Sequence, residues 1–174
     1  MLFNIHIRSG DIFKNYINKH YSQPPLCFYQ KILKNFKFKK IYLVAINDNN
    51  PVINHLLKEF PNIIYNKNYL CIDLALLMKA YNLVGSVSSM VLTSIIFNTN
   101  LKNYWEYDIF QKSVKFTFLH FDEYEYKRKF KIYKMKPSEN YKNEMFSWYK
   151  TQNQLDLMIQ EKCENNFVII NPNI

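Results

Sequence analysis

The residues Lys40-Ile41-Tyr42-Leu43-Val44-Ala45-Ile46 form a continuous apolar run, and Asn47-Asp48-Asn49-Asn50-Pro51 follows it at once. A short apolar run of this kind is typical of a strand that is buried on both faces of a parallel sheet. The polar segment after it predicts a loop that caps a helix over Val52–Glu59. The stretch therefore predicts one strand–loop–helix unit of an α/β protein.

The alternation of strands and helices continues on both sides of this unit. Phe3 to Arg8 alternates apolar and polar residues and predicts a first strand that ends in the turn Ser9-Gly10-Asp11. The other predicted elements are a helix over Leu26–Asn35 after Gln23-Pro24-Pro25, a strand over Pro61–Tyr65, a helix over Ile72–Asn82, a strand over Leu83–Ser86 and a helix over Ser89–Phe97. This order predicts a Rossmann-like, doubly wound α/β fold with a parallel sheet.

The pattern is less regular beyond Trp105. We predict a strand over Phe116–Phe121, a basic and aromatic segment over Tyr124–Lys136 that is exposed or at an edge, and a helix over Tyr141–Cys163 that Ser138 caps. The 174 residues contain no repeat and no linker, so we expect one domain over 1–174. Its core would span 3–121, and a helical segment over 137–164 would pack on the sheet.

Composition limits the classes of function. Hydrophobic residues make up 48% of the chain, which excludes a disordered protein. The long uncharged stretch Leu83–Leu101 contains Ser, Asn and Thr, so we predict no membrane span. The formal net charge is +9, but the basic and aromatic segments carry no RNA-binding signature. A solvated basic surface is therefore the expected explanation, and no nucleic acid partner is predicted.

The cysteines and histidines do not predict a metal site. Cys27, Cys71 and Cys163 lack the spacing of a zinc site or a disulfide framework, so we expect buried, reduced thiols. Apart from His6, the chain has three histidines, and their spacing does not suggest metal ligation. They are His20, His55 and His120.

The loop after the first strand contains the first candidate binding residues. Ligands of open α/β sheets bind beyond the carboxyl ends of strands, where Arg8 and Gly10 are predicted to lie. A guanidinium can bond two oxygens of a diphosphate and stabilise a departing nucleotide, so Arg8 is the predicted catalytic residue. Gly10 lets the backbone turn beneath the phosphates, and Asp11 orients the arginine. His6 is equally compatible with a functional role in this site and with a structural role as a hydrogen-bonded residue.

The segment His6-Ile7-Arg8-Ser9-Gly10-Asp11 resembles the first motif of the GDP-fucose-dependent fucosyltransferases, which include α1,2, α1,6 and protein O-fucosyl groups. That motif is His-x-Arg-Arg-Gly-Asp or a close variant, and Ser9 stands where the family has a second arginine. The stretch Asp73-Leu74-Ala75-Leu76-Leu77-Met78, with Leu83 to Ser89 after it, is similar to a later donor-binding motif. Together the two resemblances cover about residues 4–105.

Three further sets of residues complete the predicted donor site. Ser88 and Ser89 lie where a strand gives way to a helix, so their hydroxyls and the helix amides would bind a diphosphate. Helix capping alone explains these two serines equally well. Asn47 and Asp48 end the second strand and would contact the guanine or the ribose. Asp73 belongs to the second motif, although a carboxylate in a first helical turn also favours the helix by itself.

The resemblance implies the C-terminal, donor-binding half of a GT-B glycosyltransferase, with the acceptor held by a missing N-terminal domain or a separate chain. It implies metal-independent, inverting transfer of fucose from GDP-fucose to a glycan hydroxyl, with no cofactor. The implied location is cytoplasmic in a bacterium, or at the Golgi or endoplasmic reticulum membrane in a eukaryote. Two other hypotheses remain open: a non-catalytic nucleotide- or glycan-binding remnant of the fold, and a nucleic-acid-binding protein.

Overall fold

The computed structural model describes residues 2–14, 21–36, 38–109 and 130–170. Within these ranges seven strands form one sheet in the order β3-β2-β1-β4-β5-β6-β7. The strands are β1 (Phe3–His6), β2 (Ile41–Val44), β3 (Ile63–Tyr65), β4 (Asn82–Val84), β5 (Asn103–Tyr107), β6 (Lys131–Met135) and β7 (Val168–Ile170). All neighbours pair in parallel except β7, which is antiparallel to β6.

Helices cover both faces of the sheet. They are α1 (Leu26–Asn35), α2 (Pro51–Glu59), α3 (Leu70–Met78), α4 (Ser89–Phe97), α5 (Glu139–Glu144) and α6 (Gln152–Gln160). One buried cluster joins α1, α2 and α6 to the sheet, and a second cluster joins α3 and α4 to it. The prediction of an α/β fold with a mostly parallel sheet between helices is confirmed, and the arrangement is consistent with a Rossmann-like fold. No helix in the described ranges is long and apolar enough to cross a membrane.

Local sequence signals explain where several helices begin. Asn50 accepts a hydrogen bond from the N–H of Val52 at the start of α2, and Pro51 is the first residue of that helix. Ser138 accepts from Tyr141 N–H at the start of α5, as predicted. These contacts satisfy amides that have no partner inside the helix.

The predicted helix over 72–82 and strand over 83–86 are both displaced. Helix α3 ends at Met78, and the N–H of Lys79 bonds back to the carbonyl of Ala75. Asn82 instead starts β4, where it is buried and its side-chain oxygen accepts from Asn103 Nδ2 at 2.8 Å. A polar residue that is satisfied inside the sheet gives no apolar signal, which explains the misplaced boundary.

The sheet continues well beyond the predicted core. Strand β5 was not predicted, although Trp105 within it is 1% exposed. The prediction of an edge segment is wrong for 131–135, because β6 lies between β5 and β7. The predicted strand over 116–121 and the first part of the basic segment, 124–129, lie outside the described residues.

The predicted C-terminal helix is two helices, α5 and α6, and α6 packs against α1 and α2. Gln154 organises the turn between them. Its Nε2 donates to the carbonyls of Glu144 and Ser147 at 2.9 and 2.7 Å, and its Oε1 accepts from Tyr149 N–H at 2.9 Å. This buried amide holds a loop where the apolar spacing alone predicted continuous helix.

The expectation of buried, reduced thiols is wrong. Cys27 and Cys163 form a disulfide with a Cα–Cα distance of 5.5 Å, and Cys71 is exposed. The bond joins α1 to the segment after α6. Lys31 strengthens the same junction by donating from Nζ to the carbonyl of Asn165 at 2.8 Å. The two cysteines are 136 residues apart, so no local pattern predicts their pairing.

We expect Cys27→Ser to lower the free energy of unfolding by about 2–4 kcal/mol, because a cross-link over a long loop restricts the unfolded chain. Urea denaturation without reductant measures the change. Cys71→Ser alters the exposed thiol and is the matched control, which should stay within about 0.5 kcal/mol of the parent. Equal stability of Cys27→Ser and the parent would contradict the cross-link.

Candidate functional site

The order of strands reverses between β1 and β4. The chain adds β2 and β3 on one side of β1, whereas β4, β5 and β6 lie on the other side. The ladder between β1 and β4 ends with the pair of Ile5 and Val84. Next, Ile7 N–H donates to the β2 carbonyl of Val44 and Gly85 N–H donates to a β5 carbonyl, both at 3.0 Å. The strands therefore diverge into a crevice at their carboxyl ends, where open α/β sheets bind ligands.

Arg8 lies at this crevice, and its side chain is held on two sides. Its Nη2 donates to both carboxylate oxygens of Asp11, at 3.1 and 2.8 Å. Its guanidinium carbon lies 5.0 Å from the centre of the Tyr21 ring, within the range of a cation–π contact. Its Nε is buried and has no hydrogen-bond partner among the described residues. The guanidinium is thus oriented by Asp11 and keeps a donor for an anion.

Gly10 is required by the backbone of the same loop. Its φ is +77°, and a Cβ at this position would lie 2.5 Å from Cγ2 of Ile46. Only glycine adopts this conformation without cost, and the contact leaves no room for a side chain. Gly10 therefore packs closely against Ile46 in the loop that follows β2.

Asn47 joins the loops that follow β1 and β2. Its Oδ1 accepts from Ser9 Oγ at 2.6 Å, from Gly10 N–H at 3.1 Å and from Asn49 N–H at 3.2 Å. The predicted contact with guanine or ribose would therefore have to come from Nδ2, because Oδ1 already accepts three bonds. Asp48 is different, because it is exposed and pairs with Lys67 at 3.7 Å.

The polar side chains that hold the loops after β1 and β2 together form a frame around Arg8. Sequence reasoning did not identify Ser9 and Asn50 as parts of this frame. The N–H of Asn50 donates to Ser9 Oγ at 3.1 Å, and Asn50 Nδ2 donates to the carbonyl of Arg8 at 3.0 Å. Both residues are almost fully buried. The only sequence signal was the position of Asn50 just before a helix, which predicts a cap and not a contact with another strand.

His6 is part of the interior. It is 4% exposed, and its Nδ1 lies 2.9 Å from Ser86 Oγ. Burial and then the charge of Arg8 lower the pKa of the imidazole to about 3. His6 is therefore neutral at physiological pH. Its contact with Ser86 fits the structural role, which is one of the two roles that the sequence left open.

The N-terminus of α4 lies on the β4 side of the crevice. Ser88 is buried, and its hydroxyl accepts from Met90 N–H at 3.2 Å, so it caps the helix. Ser89 is the exposed first residue of α4. The start of a nine-residue helix carries partial positive charge and favours anions. Arg8 and α4 thus bring two positive features to one crevice.

Asp73 lies in the first turn of α3, beyond the carboxyl end of β3. It is 5% exposed, and its Oδ1 accepts from Asn68 Nδ2 at 3.1 Å. Burial raises the pKa of this carboxyl. The hydroxyl of Tyr65 is buried without a partner among the described residues, and burial followed by the charges of Asp48 and Asp73 raises its pKa. Strand β3 is two positions from β1, which corresponds to roughly 10 Å.

Residues of the C-terminal segment bond to the backbone of the loop that follows Arg8. Sequence reasoning missed this contact. Trp148 Nε1 donates to the carbonyl of Ile12 at 2.9 Å, and its ring packs edge-on against Phe13. Lys150 Nζ donates to the carbonyl of Phe13 at 3.0 Å. The apolar spacing assigned Trp148 to a helix, and nothing local indicates a partner 136 positions away.

We expect the free energy of unfolding to fall as the pH is lowered from about 6.5 towards 3, because the unfolded state binds a proton that folded His6 does not. Between these two pH values the difference of one proton lowers the free energy of unfolding by about 1.4 kcal/mol per pH unit. When the free energy of unfolding is measured at a series of pH values, its slope against pH should be smaller by this amount in His6→Asn than in the parent. His55→Asn changes an exposed histidine on α2 and is the control. An unchanged slope for His6→Asn would contradict a neutral, buried imidazole.

Within the described ranges, no group of three or more His, Cys, Asp or Glu side chains is arranged to hold a metal ion. Arg8 and the start of α4 are both groups that favour anions. Comparisons of the chain with protein-family models, with curated proteins and with solved structures give no match.

Proposed function

We propose that the chain binds a nucleotide sugar, specifically GDP-fucose, as the donor domain of a fucosyltransferase-like glycosyltransferase of the GT-B type. The observation that supports this most is that Arg8 and the N-terminus of α4 follow the neighbouring strands β1 and β4, at the end where these strands diverge. Both features attract anions, and a diphosphate has oxygens enough for both. The resemblance of the His6–Asp11 segment to the first fucosyltransferase motif supplies the choice of donor.

The diphosphate would lie between the Arg8 loop and α4. The terminal nitrogens of the guanidinium would donate to it, and the helix would contribute free amides together with the exposed hydroxyl of Ser89. Ser9 replaces the second arginine of the family motif, and it is 2% exposed with its hydroxyl bonded to Asn47. A long cation does not fit that buried position, so Arg8 carries the motif's charge alone.

The base would lie towards β3, near Asp73. We assign the guanine N1–H and N2–H donors to the two oxygens of this carboxylate, one to each, with Oδ1 also accepting from Asn68. A carboxylate matches two adjacent donors, whereas adenine and uracil do not present this pair. The spacing of roughly 10 Å between β3 and β1 suits a ligand whose base and diphosphate are separated by a ribose.

In the proposed reaction an acceptor hydroxyl attacks the anomeric carbon of the sugar from the face opposite to the diphosphate. The new glycosidic C–O bond forms as the bond from carbon to phosphate oxygen breaks, which inverts the configuration. Arg8 and the α4 amides stabilise the negative charge that develops on departing GDP. The acceptor, and the base that removes its proton, would belong to a separate domain or chain.

A second candidate is a non-catalytic nucleotide-binding domain of the same fold. It is favoured by the environment of His6, the imidazole beside Arg8, which is buried and bonded to Ser86 and so is not placed to take a proton from an acceptor. The two candidates differ in turnover. Release of GDP from GDP-fucose, with water or a glycan as acceptor, supports an enzyme, and saturable binding without release supports the binding domain.

We expect Arg8→Ala to weaken GDP binding by about 2 kcal/mol, or roughly 30-fold, because a charge-assisted contact to the diphosphate is lost. Arg8→Lys should recover only part of the affinity, since an ammonium lacks the planar fork. Calorimetric titration with GDP, GDP-fucose, UDP and ADP measures these changes.

Lys67→Ala is the matched control for Arg8, because it removes an exposed cation that pairs with Asp48. Its affinity for GDP should stay within about twofold of the parent. Absence of GDP binding by the parent chain, or equal affinity of the Arg8→Ala variant, would overturn the proposed role.

We expect Asp73→Asn to reduce the preference for GDP over ADP and UDP by about 1–2 kcal/mol, because an amide cannot accept from both guanine donors. The same calorimetric series gives the preference. Asp156→Asn changes an exposed carboxylate on α6, away from the crevice, and should leave this preference unchanged. A loss of affinity that is equal for all three nucleotides would show that Asp73 does not contact the base.

A further inference from the structure

Ser86 lies at the point where β1 and β4 separate. Past Ile5 and Val84 the backbone of β1 bonds to β2, and the backbone of β4 bonds to β5. The side chain of Ser86 reaches across this gap. Its Oγ accepts from the N–H of Arg8 at 2.8 Å and lies 2.9 Å from Nδ1 of His6. Ser86 itself is 7% exposed, so these bonds are shielded from water.

One direction of the bonds uses the hydroxyl hydrogen of Ser86. A serine hydroxyl has one hydrogen, and the oxygen of Ser86 already accepts from Arg8 N–H. Neutral His6 has one nitrogen that accepts. If Ser86 donates to an unprotonated His6 Nδ1, the hydroxyl hydrogen has a partner and the imidazole hydrogen lies on Nε2. The result is a continuous chain from Arg8 N–H through the Ser86 hydroxyl to His6.

The chain connects both anion-binding features of the crevice. On one side it fixes the backbone of Arg8, whose carbonyl is held by Asn50 Nδ2 at 3.0 Å. On the other side Ser86 is two residues before Ser88, the cap of α4. A change of the hydroxyl therefore alters the distance between the guanidinium and the helix amides, and it does so without removing either group.

We propose that Ser86 is the positioning residue of the nucleotide site: its hydroxyl bridges the diverging ends of β1 and β4 and sets the separation of Arg8 from the N-terminus of α4. This inference rests on the proposed function, because the separation matters for a ligand that bonds to both sides. Ser86 does not contact the ligand. Its effect is transmitted through the backbone of Arg8.

The experiment compares Ser86→Ala, Ser86→Thr and Ser94→Ala in the full chain. Ser94 is the matched control, because it is a fully buried serine whose Oγ donates to the carbonyl of Met90 at 2.7 Å within α4. Calorimetry with GDP should show a loss of about fivefold to tenfold for Ser86→Ala, which corresponds to one hydrogen bond. Ser86→Thr keeps the hydroxyl and should recover affinity to within about twofold, and Ser94→Ala should bind like the parent.

A second readout is independent of the ligand. The ¹⁵N resonances of the His6 ring, assigned by their loss in His6→Asn, should show an accepting Nδ1 and a protonated Nε2. Ser86→Ala should shift the Nδ1 resonance, Ser86→Thr should restore it, and Ser94→Ala should leave it unchanged.

The outcomes separate this inference from the proposed function. A parent chain that does not bind GDP overturns the proposed function and, with it, the role of Ser86. A parent that binds GDP, together with Ser86→Ala that binds equally well, overturns the positioning role alone. Equal losses for Ser86→Ala and Ser94→Ala also overturn it, because they indicate general destabilisation of α4. An unchanged His6 resonance in Ser86→Ala overturns the hydrogen-bonded chain.

Discussion

The reversal of strand order between β1 and β4 is the constraint on which the candidate site depends. Parallel strands are linked by right-handed crossovers, so a sheet that grows outward from β1 in both directions must place its helices on opposite faces. Helices α1 and α2 accordingly share one core cluster, and α3 and α4 share the other. At the reversal the backbones of β1 and β4 bond to different neighbouring strands.

A crevice formed in this way has to be held open without exposing unpaired backbone groups, and buried polar side chains meet this requirement. Ser9, Asn47, Asn50 and Ser86 together satisfy the loop amides around Arg8. Trp148 and Lys150 hold the next turn of the same loop from the C-terminal segment. The frame therefore draws on distant parts of the chain, which explains why the C-terminal helices belong to the same structural unit as the sheet.

The sequence predicted those features that depend on neighbours along the chain. The apolar run at 41–44 and the caps at Asn50, Ser88 and Ser138 gave β2 and three helix starts. Contacts between distant residues left no such signal: the disulfide, the place of β6 inside the sheet, and the support from Trp148. In the site, a polar residue at a strand end predicts a ligand contact and an internal bond equally well. Asn47 and His6 have internal bonds, whereas Arg8 keeps a free donor.

The Arg8–Asp11 ion pair and the hydrogen bonds of Ser86 and Asn47 differ in the free energy that is needed to break them. The Arg8–Asp11 pair is partly open to solvent, with side-chain exposures of 22% and 70%. Exposed pairs contribute about 0–1 kcal/mol, so Asp11 would offer little competition to the proposed diphosphate for the guanidinium. The bonds of Ser86 and Asn47 are buried or partly buried, and breaking them would leave polar groups unsatisfied at a larger cost. Ligand binding should therefore exchange the partner of Arg8 while the backbone around it stays in place.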